Sequence, residues 1–441
     1  FKILIMFKSK NVNASWGNNI KTYPIVYKPK SYSDIIKFIT TKKNFIVQGN
    51  QKSYGDVCLN YKQVVSMGEL KNIISFDKKN GIIEVESGLL LKDLLRIIIP
   101  NGWFVPTTPG TKYVSLGGMV ANNIHGKNIK KNHIKHYIKK IKLMQLNKKI
   151  ITCSKKKQKK IFDLTTGGFG LTGIILTITI KLKKISSHFI DQKIVEFTNY
   201  NEFYKTYEKN TKYEYAVSWI DKFNKDYIKG LHYFGNHSNK NDKKTFFFKE
   251  QKIGFLKLHI LKMFFNNHSL FRFMNFFFRY YKKFFYKKNC TIDDFFYPQD
   301  YMLDWNKIYG RRGFFQMQFI VSKKNFQKLL GEISNFLEKN SFFSCFVVIK
   351  KYNEKGKFLN FSGKGYSISF DFAIRDNFKI LKYFLNKMIK KYNLAVNLSK
   401  DLVTDKSNII FLKNYKLFKK NISLINKNNK INSIFSKRLG I

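Results

Sequence analysis

Apolar residues come in short bursts along this chain, and their spacing changes near residue 185. Ile35, Ile36 and Ile39 share one face of a helix predicted over 35–41, with Ser33-Asp34 as its cap. Phe45 to Gln48 reads as a buried strand, followed by short strands at Val64 to Met67, Ile73 to Phe76 and Ile82 to Val85. Leu90 to Ile99 predicts a helix closed by Pro100-Asn101-Gly102. Ile141 to Gln145 and Lys149 to Cys153 alternate as a hairpin does, and Ile174 to Leu182 is a strand after a glycine-dense loop over 163–173. Such a mixture predicts an α+β fold. Further on, Tyr200 to Tyr207 reads as a helix and 234–244 as a polar loop. Ala216 to Asp221, Phe346 to Lys350 and Tyr366 to Phe372 read as strands. The pattern divides the chain into a first domain (1–186), a second with an antiparallel sheet (187–393), and a return to the first (394–441).

Three turns in the first domain are rich in glycine. The central one, 106–128, reads PTTPGTKYVSLGGMVANNIHGKN: a Pro109-Gly110 turn, a β-like run, the pair Gly117-Gly118, then His125-Gly126-Lys127-Asn128. Paired glycines let backbone N–H groups approach an anionic ligand with no Cβ in the way. Its companions are FIVQGNQKSYGD (45–56) and GGFGLTGIILTITI (167–180). None has the spacing of a phosphate loop or of the G-x-G-x-x-G fingerprint of a βαβ unit. A ligand here would be held by several separated loops.

The net charge of +54 ordinarily points to nucleic acid or anionic membrane. Only seven of the 82 basic residues are Arg, however, and the charge spreads over the whole length. Nucleic-acid binders concentrate charge and favour the bidentate guanidinium. The crowding of Lys, Asn, Ile and Phe reads chiefly as codon bias, with attraction to anionic lipid or a phosphorylated substrate as the remainder. Cys58, Cys153, Cys290 and Cys345 stand far apart, which implies neither a zinc site nor a disulfide framework and suits a reducing compartment. FKILIMFKSK is too short for a bilayer span, and no metal site is expected. The expectation is a cytoplasmic protein, soluble or peripheral on a membrane.

The glycine-rich stretches carry a resemblance, joined by Trp305-Asn306, Tyr309-Gly310, Gly313-Phe314, Gln316-x-Gln318 and Lys400-Asp401. Together they resemble the vanillyl-alcohol-oxidase (PCMH-type) flavoproteins, and within them the decaprenylphosphoryl-ribose 2-oxidase branch, from about Trp16 onward with a weak patch over 187–289. The resemblance implies a PCMH-type FAD-binding domain plus a substrate domain. It implies FAD contacts at Gly49, Asn50, Gln51, Lys52, Ser53 and Tyr54, at Gly110, Gly117, Gly118, Asn122, His125, Gly126 and Asn128, and at Gly168, Gly170, Gly173 and Ile174. Gln316, Gln318, Lys350, Ser369, Asp371 and Lys400 are the implied substrate-site residues. Lys400 and His125 are the catalytic candidates: the lysine to bring positive charge to the flavin, the histidine to orient a ligand or assist proton removal.

Three positions depart from relatives. Lys52 stands where alditol oxidases tether FAD through a His, so non-covalent FAD is expected. Phe296 stands in place of a Tyr, and Ser369 in place of the Cys of mycobacterial members. The implied reaction is oxidation of the 2-hydroxyl of a polyprenyl-phosphate-linked pentose to a keto sugar, with a separate NAD(P)H-dependent reductase completing an epimerisation. Two alternatives stay open: an oxygen-using oxidase of a soluble polyol or aldonolactone, and a non-catalytic basic nucleic-acid-binding protein, although no nucleic acid is expected as partner. The tract 246–288 interleaves Phe and Tyr with Lys and Arg. It suits an interfacial element meeting lipid, a core helix, or a single-strand binding surface.

Overall fold

A computed structural model describes residues 12–240, 248, 250–252 and 254–441. The opening FKILIMFKSK and residues 241–247 of the expected polar loop lie outside the described residues. β1 (Ile25–Tyr27), β2 (Phe45–Gln48) and β3 (Gln63–Ser66) form a parallel sheet in the order β1-β3-β2. Between β1 and β2 runs α1 (Tyr32–Thr41). Its cap is Ser31 rather than Ser33-Asp34: Ser31 Oγ accepts from the Asp34 N–H, and the Asp34 carboxylate accepts from the Ser31 N–H.

β4 (Ile73–Asp77), β5 (Ile82–Glu86), β6 (Ile138–Met144), β7 (Ile150–Cys153) and β8 (Ile174–Lys181) make an antiparallel sheet ordered β7-β6-β8-β5-β4. α2 (Leu91–Ile98) buries Leu91, Leu94, Leu95 and Ile98 against it. α3 (Leu116–Ala121) carries the glycine pair, and the β-like run before it reduces to one isolated bridge, Leu90 with Ser115. α4 (Lys159–Thr165) takes Asp163 out of the loop expected at 163–173. β8 separates two cores: Ile175, Ile178 and Ile180 face the α2 side, whereas Ile174 and Leu176 join the core of the parallel sheet.

The second sheet has eight antiparallel strands: β9 (Phe189–Phe197), β10 (Tyr215–Phe223), β11 (Ile228–His237), β12 (Asn289–Thr291), β13 (Phe314–Val321), β14 (Val347–Glu354), β15 (Gly363–Ala373) and β16 (Ala395–Val396). Their order is β12-β9-β11-β10-β14-β15-β13-β16. Around it lie α5 (Tyr200–Lys209), α6 (Phe255–Asn266), α7 (His268–Phe284), α8 (Ile292–Phe296), α9 (Lys323–Lys339) and α10 (Phe378–Tyr392). β14 runs four residues past Lys350, and β11 claims 234–237, expected as loop. Gly235 belongs in that strand because a Cβ there would come within 2.7 Å of Ile190 and Phe295.

Alternation along three central strands builds the functional face. Phe315, Met317 and Phe319 of β13, Ile368, Phe370 and Phe372 of β15, and Val347 and Ile349 of β14 pack into the core under α9 and α10. Gln316, Gln318, Ser369, Asp371 and Lys350 therefore point the other way, towards the first domain. Register pairs Gln316 with Asp371 and Gln318 with Ser369.

After β16 the chain returns through α11 (Lys413–Ile425) and α12 (Ile434–Leu439), whose Phe418, Ile422, Phe435 and Leu439 complete the core of the parallel sheet. Arg438 of α12 ion-pairs Asp56, just past the first glycine loop, and Asp401, next to Lys400. The aromatic tract is mostly not core: Phe265 and Phe271 are buried, whereas Phe273, Phe276, Phe277, Tyr280 and Phe284 are exposed.

Candidate active site

Between the glycine loops and the eight-stranded sheet lies a cavity of about 970 Å³, at the upper end of the roughly 300–1,000 Å³ of ligand pockets. One end is walled by the first glycine loop. There Gln51 has positive φ (50°), Asn50 Nδ2 donates to the Tyr113 carbonyl, and Gly49 approaches Ser115 so closely that a Cβ would meet its Oγ at 1.9 Å. The N–H groups of Asn50 to Tyr54 have no acceptor among the described residues. Lys52 Nζ lies 3.3 Å from the centre of the Trp16 ring, and burial pushes its pKa down to about 8.

The glycine pair behaves differently from the sequence expectation. The Gly117 N–H donates to the Ser87 carbonyl and the Gly118 N–H to Ser115 Oγ, the cap of α3, so both amides serve the fold. What the pair provides is closeness, since a Cβ on Gly117 would strike Ser87. Gly110 and Gly170 leave open space on the cavity side.

The other end is a polar chain on the sheet. Lys400 Nζ donates to Gln316 Oε1 (2.6 Å), and Gln316 Nε2 donates to Asp371 Oδ1 (2.6 Å). Gln318 Oε1 accepts from Asn397 Nδ2 (2.8 Å) and from His125 Nε2 (3.3 Å), while its Nε2 donates to Ser367 Oγ. An acceptor at Gln318 fixes His125 as the Nε2–H tautomer and leaves its buried Nδ1 with no protein partner. Lys350 Nζ donates to the Gly126 carbonyl and Lys127 Nζ to the Phe295 carbonyl.

Burial sets the protonation here. It pushes Lys400 down to about 8 against the favourable charge of Asp371, and Lys127 down to about 8. It also pushes Asp371 up to about 7, opposed by the Gln316 hydrogen bond and by Lys400. Lys350 is held well below the ordinary lysine value by burial and by Lys400 and Lys127. His125 falls well below its usual value through burial, then Lys350, Lys400 and His133, so its imidazole is neutral at physiological pH. That argues against the expected proton exchange by His125 near neutrality.

The cavity brings together Gly49, Asn50, Gln51, Lys52, Ser53, Tyr54, Gly110, Gly117, Gly118, Asn122, His125, Gly170, Gly173 and all six substrate-site candidates. Gly126, Asn128, Gly168 and Ile174 stand behind its wall. Asn128 donates to the Pro106 carbonyl, Gly168 packs on Leu164, and Ile174 is core. Lys127 and Asn397 also line it and were not among the sequence candidates. Both stand inside stretches already singled out, IHGKN and NLSKD, and only the fold turns them inward. Phe296 is buried in the wall beside Tyr297, whose hydroxyl hydrogen-bonds Thr108 at 2.5 Å.

Free amides beside Lys52, open space at two glycines, and the unpaired Asn122 Oδ1 and His125 Nδ1 fit a long ligand with an anionic end and a polar ring. The fold and this cavity are those of a flavoprotein with a PCMH-type FAD-binding domain. Residues 24–154 match the FAD binding domain family, and the chain is an FAD-dependent oxidoreductase acting on CH–OH groups.

The decaprenylphosphoryl-β-D-ribose oxidase of Mycolicibacterium smegmatis is 26% identical over 82% of this chain and 82% of its own length. The L-gulonolactone oxidase of Mus musculus is 24% identical over 38% of this chain and 39% of its own. The D-lactate dehydrogenase of Anaerostipes hadrus is 28% identical over 29% of this chain and 28% of its own. The chain thus spans well under half the length of the latter two.

Proposed function

We propose that the chain oxidises the 2-hydroxyl of a polyprenyl-phosphate-linked pentose to a keto sugar, and that a separate NAD(P)H-dependent reductase completes a 2-epimerisation. The observation that carries this reading is the set of three buried amines, Lys127, Lys350 and Lys400, lining one cavity with no carboxylate ion pair among the described residues. Amines left unpaired in a low-dielectric site favour an anionic ligand such as a sugar phosphate. The side-chain amides of Gln316, Gln318 and Asn397 beside them suit sugar hydroxyls. The oxidase from M. smegmatis, which matches over most of both chains, is named for a substrate of this class.

FAD, held non-covalently at the glycine loops, supplies the acceptor for the two electrons of the oxidation. The first domain (1–186) and the return (394–441) hold it, and the domain between them (187–393) holds the sugar. His125 Nδ1 accepts a hydrogen bond from the substrate hydroxyl and orients it. Lys400, with a pKa of about 8, is a neutral amine in about one molecule in ten at pH 7. In that form it takes the hydroxyl proton, and the resulting ammonium faces Gln316 and Asp371. The substrate comes from a membrane surface, and the protein is cytoplasmic and peripheral there.

Anaerobic mixing with a short-chain polyprenyl-phosphoribose tests the reading. Bleaching of the flavin by this compound, and none by free ribose or gulonolactone, is the expected result. Bleaching by free lactones, with peroxide release in air and no response to the prenyl-phosphate sugar, would overturn it in favour of a soluble-sugar oxidase.

A further inference from the structure

α7 presents three different faces. Phe271 and Asn275 are buried, and Arg279 pairs with Asp221 of β10 and Glu196 of β9, so the helix is pinned to the eight-stranded sheet. Lys283 adds a second pair to Glu196. Met274, Phe278, Tyr281 and Phe285 turn towards the cavity and line it. Phe273, Phe276, Phe277, Tyr280 and Phe284, spaced three to four residues apart, point outward and are 51–60% exposed. A row of five outward rings is unusual on a soluble surface and marks a contact site.

We propose that α6 and α7 form a docking element that lays this row of rings into the headgroup region of an anionic bilayer, with the cavity opening onto it. Two observations select lipid as the occupant. The first is charge: between Glu250 and Asp293 the sequence holds no acidic residue, while Arg272, Lys282, Lys287 and Lys288 stand on or beside α7. Aromatic rings flanked by cations are what an anionic interface takes up. The second is continuity: Phe278, Tyr281 and Phe285 line the cavity and are also 41–63% exposed, so its mouth lies beside the outward row. Trp219 of β10 meets Phe278 edge-on at 5.1 Å on the inner side of that mouth. An apolar chain would pass from bilayer to cavity along aromatic carbon without crossing water. This last point rests on the proposed polyprenyl-phosphate substrate; the docking itself does not.

The test is co-sedimentation of the FAD-loaded protein with phosphatidylcholine vesicles, with and without phosphatidylglycerol. It uses the wild type and a variant carrying Phe273→Ser, Phe276→Ser, Phe277→Ser and Phe284→Ser, none of which lines the cavity. Expected are tight binding of the wild type to the anionic vesicles and a loss of about 100-fold in the variant, with flavin content and turnover of a detergent-soluble short-chain substrate unchanged. Equal binding by both proteins would overturn the proposal, because the charge spread over the whole surface would then be sufficient. A wild type that ignores vesicles would overturn it too, as would a wild-type dimer that the variant abolishes, which would assign the rings to a second copy. Vesicle binding needs no substrate, so docking without turnover of the prenyl-phosphate sugar would refute the function and leave the docking standing.

Discussion

Replacing Lys400 by Met removes a charge that the fold holds at a cost. Burial lowers its pKa from 10.5 to about 8, which corresponds to about 3 kcal/mol against the ammonium at neutral pH. Cavity water screens part of this, since the amine lines the cavity. The substitution also strands Gln316 Oε1, which now accepts from Lys400, at about 1 kcal/mol. The net expectation is a protein more stable by about 1–2 kcal/mol at pH 7 and at least 100-fold less active. Because the folded-state pKa is the lower one, the unfolded chain binds the extra proton between about pH 8 and pH 10.5. The penalty is therefore fully present below pH 8 and fades as pH rises towards 10.5. Urea titrations of flavin-free protein followed by tryptophan fluorescence should show the variant's midpoint raised by roughly 0.5 M at pH 7, and the advantage gone by pH 10. A variant less stable than wild type at pH 7, or a gain that does not change with pH, would refute the view of Lys400 as a buried, costly ammonium.

Arg438→Met leaves the carboxylates of Asp56 and Asp401 buried without their guanidinium. It should destabilise by about 3–5 kcal/mol and weaken flavin retention, read by denaturation and by absorbance after gel filtration. The wild-type turnover rate should rise with pH through about 8 as Lys400 loses its proton; a rate that falls over that interval would exclude Lys400 as the proton acceptor. Acid precipitation should release the flavin to the supernatant, because Lys52 offers no tether in the first loop. Thiol-capturing compounds should leave β15 unlabelled, since Ser369 has a hydroxyl there, and mass spectrometry of the strand checks this.

The parts of the fold that could be read in the sequence are those where one physical rule acts alone. β13 is packed on one face by α9 and α10, so strict alternation puts Gln316 and Gln318 on the other face. The glycine loops were visible because close backbone approach tolerates little else. What stayed hidden depends on partners distant in sequence. No local signal says that the Gly117 amide belongs to Ser87, or that Lys127 turns inward under Phe295. β11 outlasts Gly235 and Asn236 because Ile190 and Phe295 close over them. The aromatic tract read equally well as core or as interface, since its composition is the same either way; only the ion pairs of Arg279 fix which side faces out.

The bond between Arg438 and Asp56 joins residues 382 positions apart. At about 5–20 residues per second, a ribosome would need roughly 20–75 s after making the first glycine loop to reach the residue that anchors it. During that interval the loop that faces the cofactor pyrophosphate lacks its only guanidinium anchor. Flavin capture is then a late event in the life of the nascent chain, and it reports that the eight-stranded sheet and the return segment are already in place.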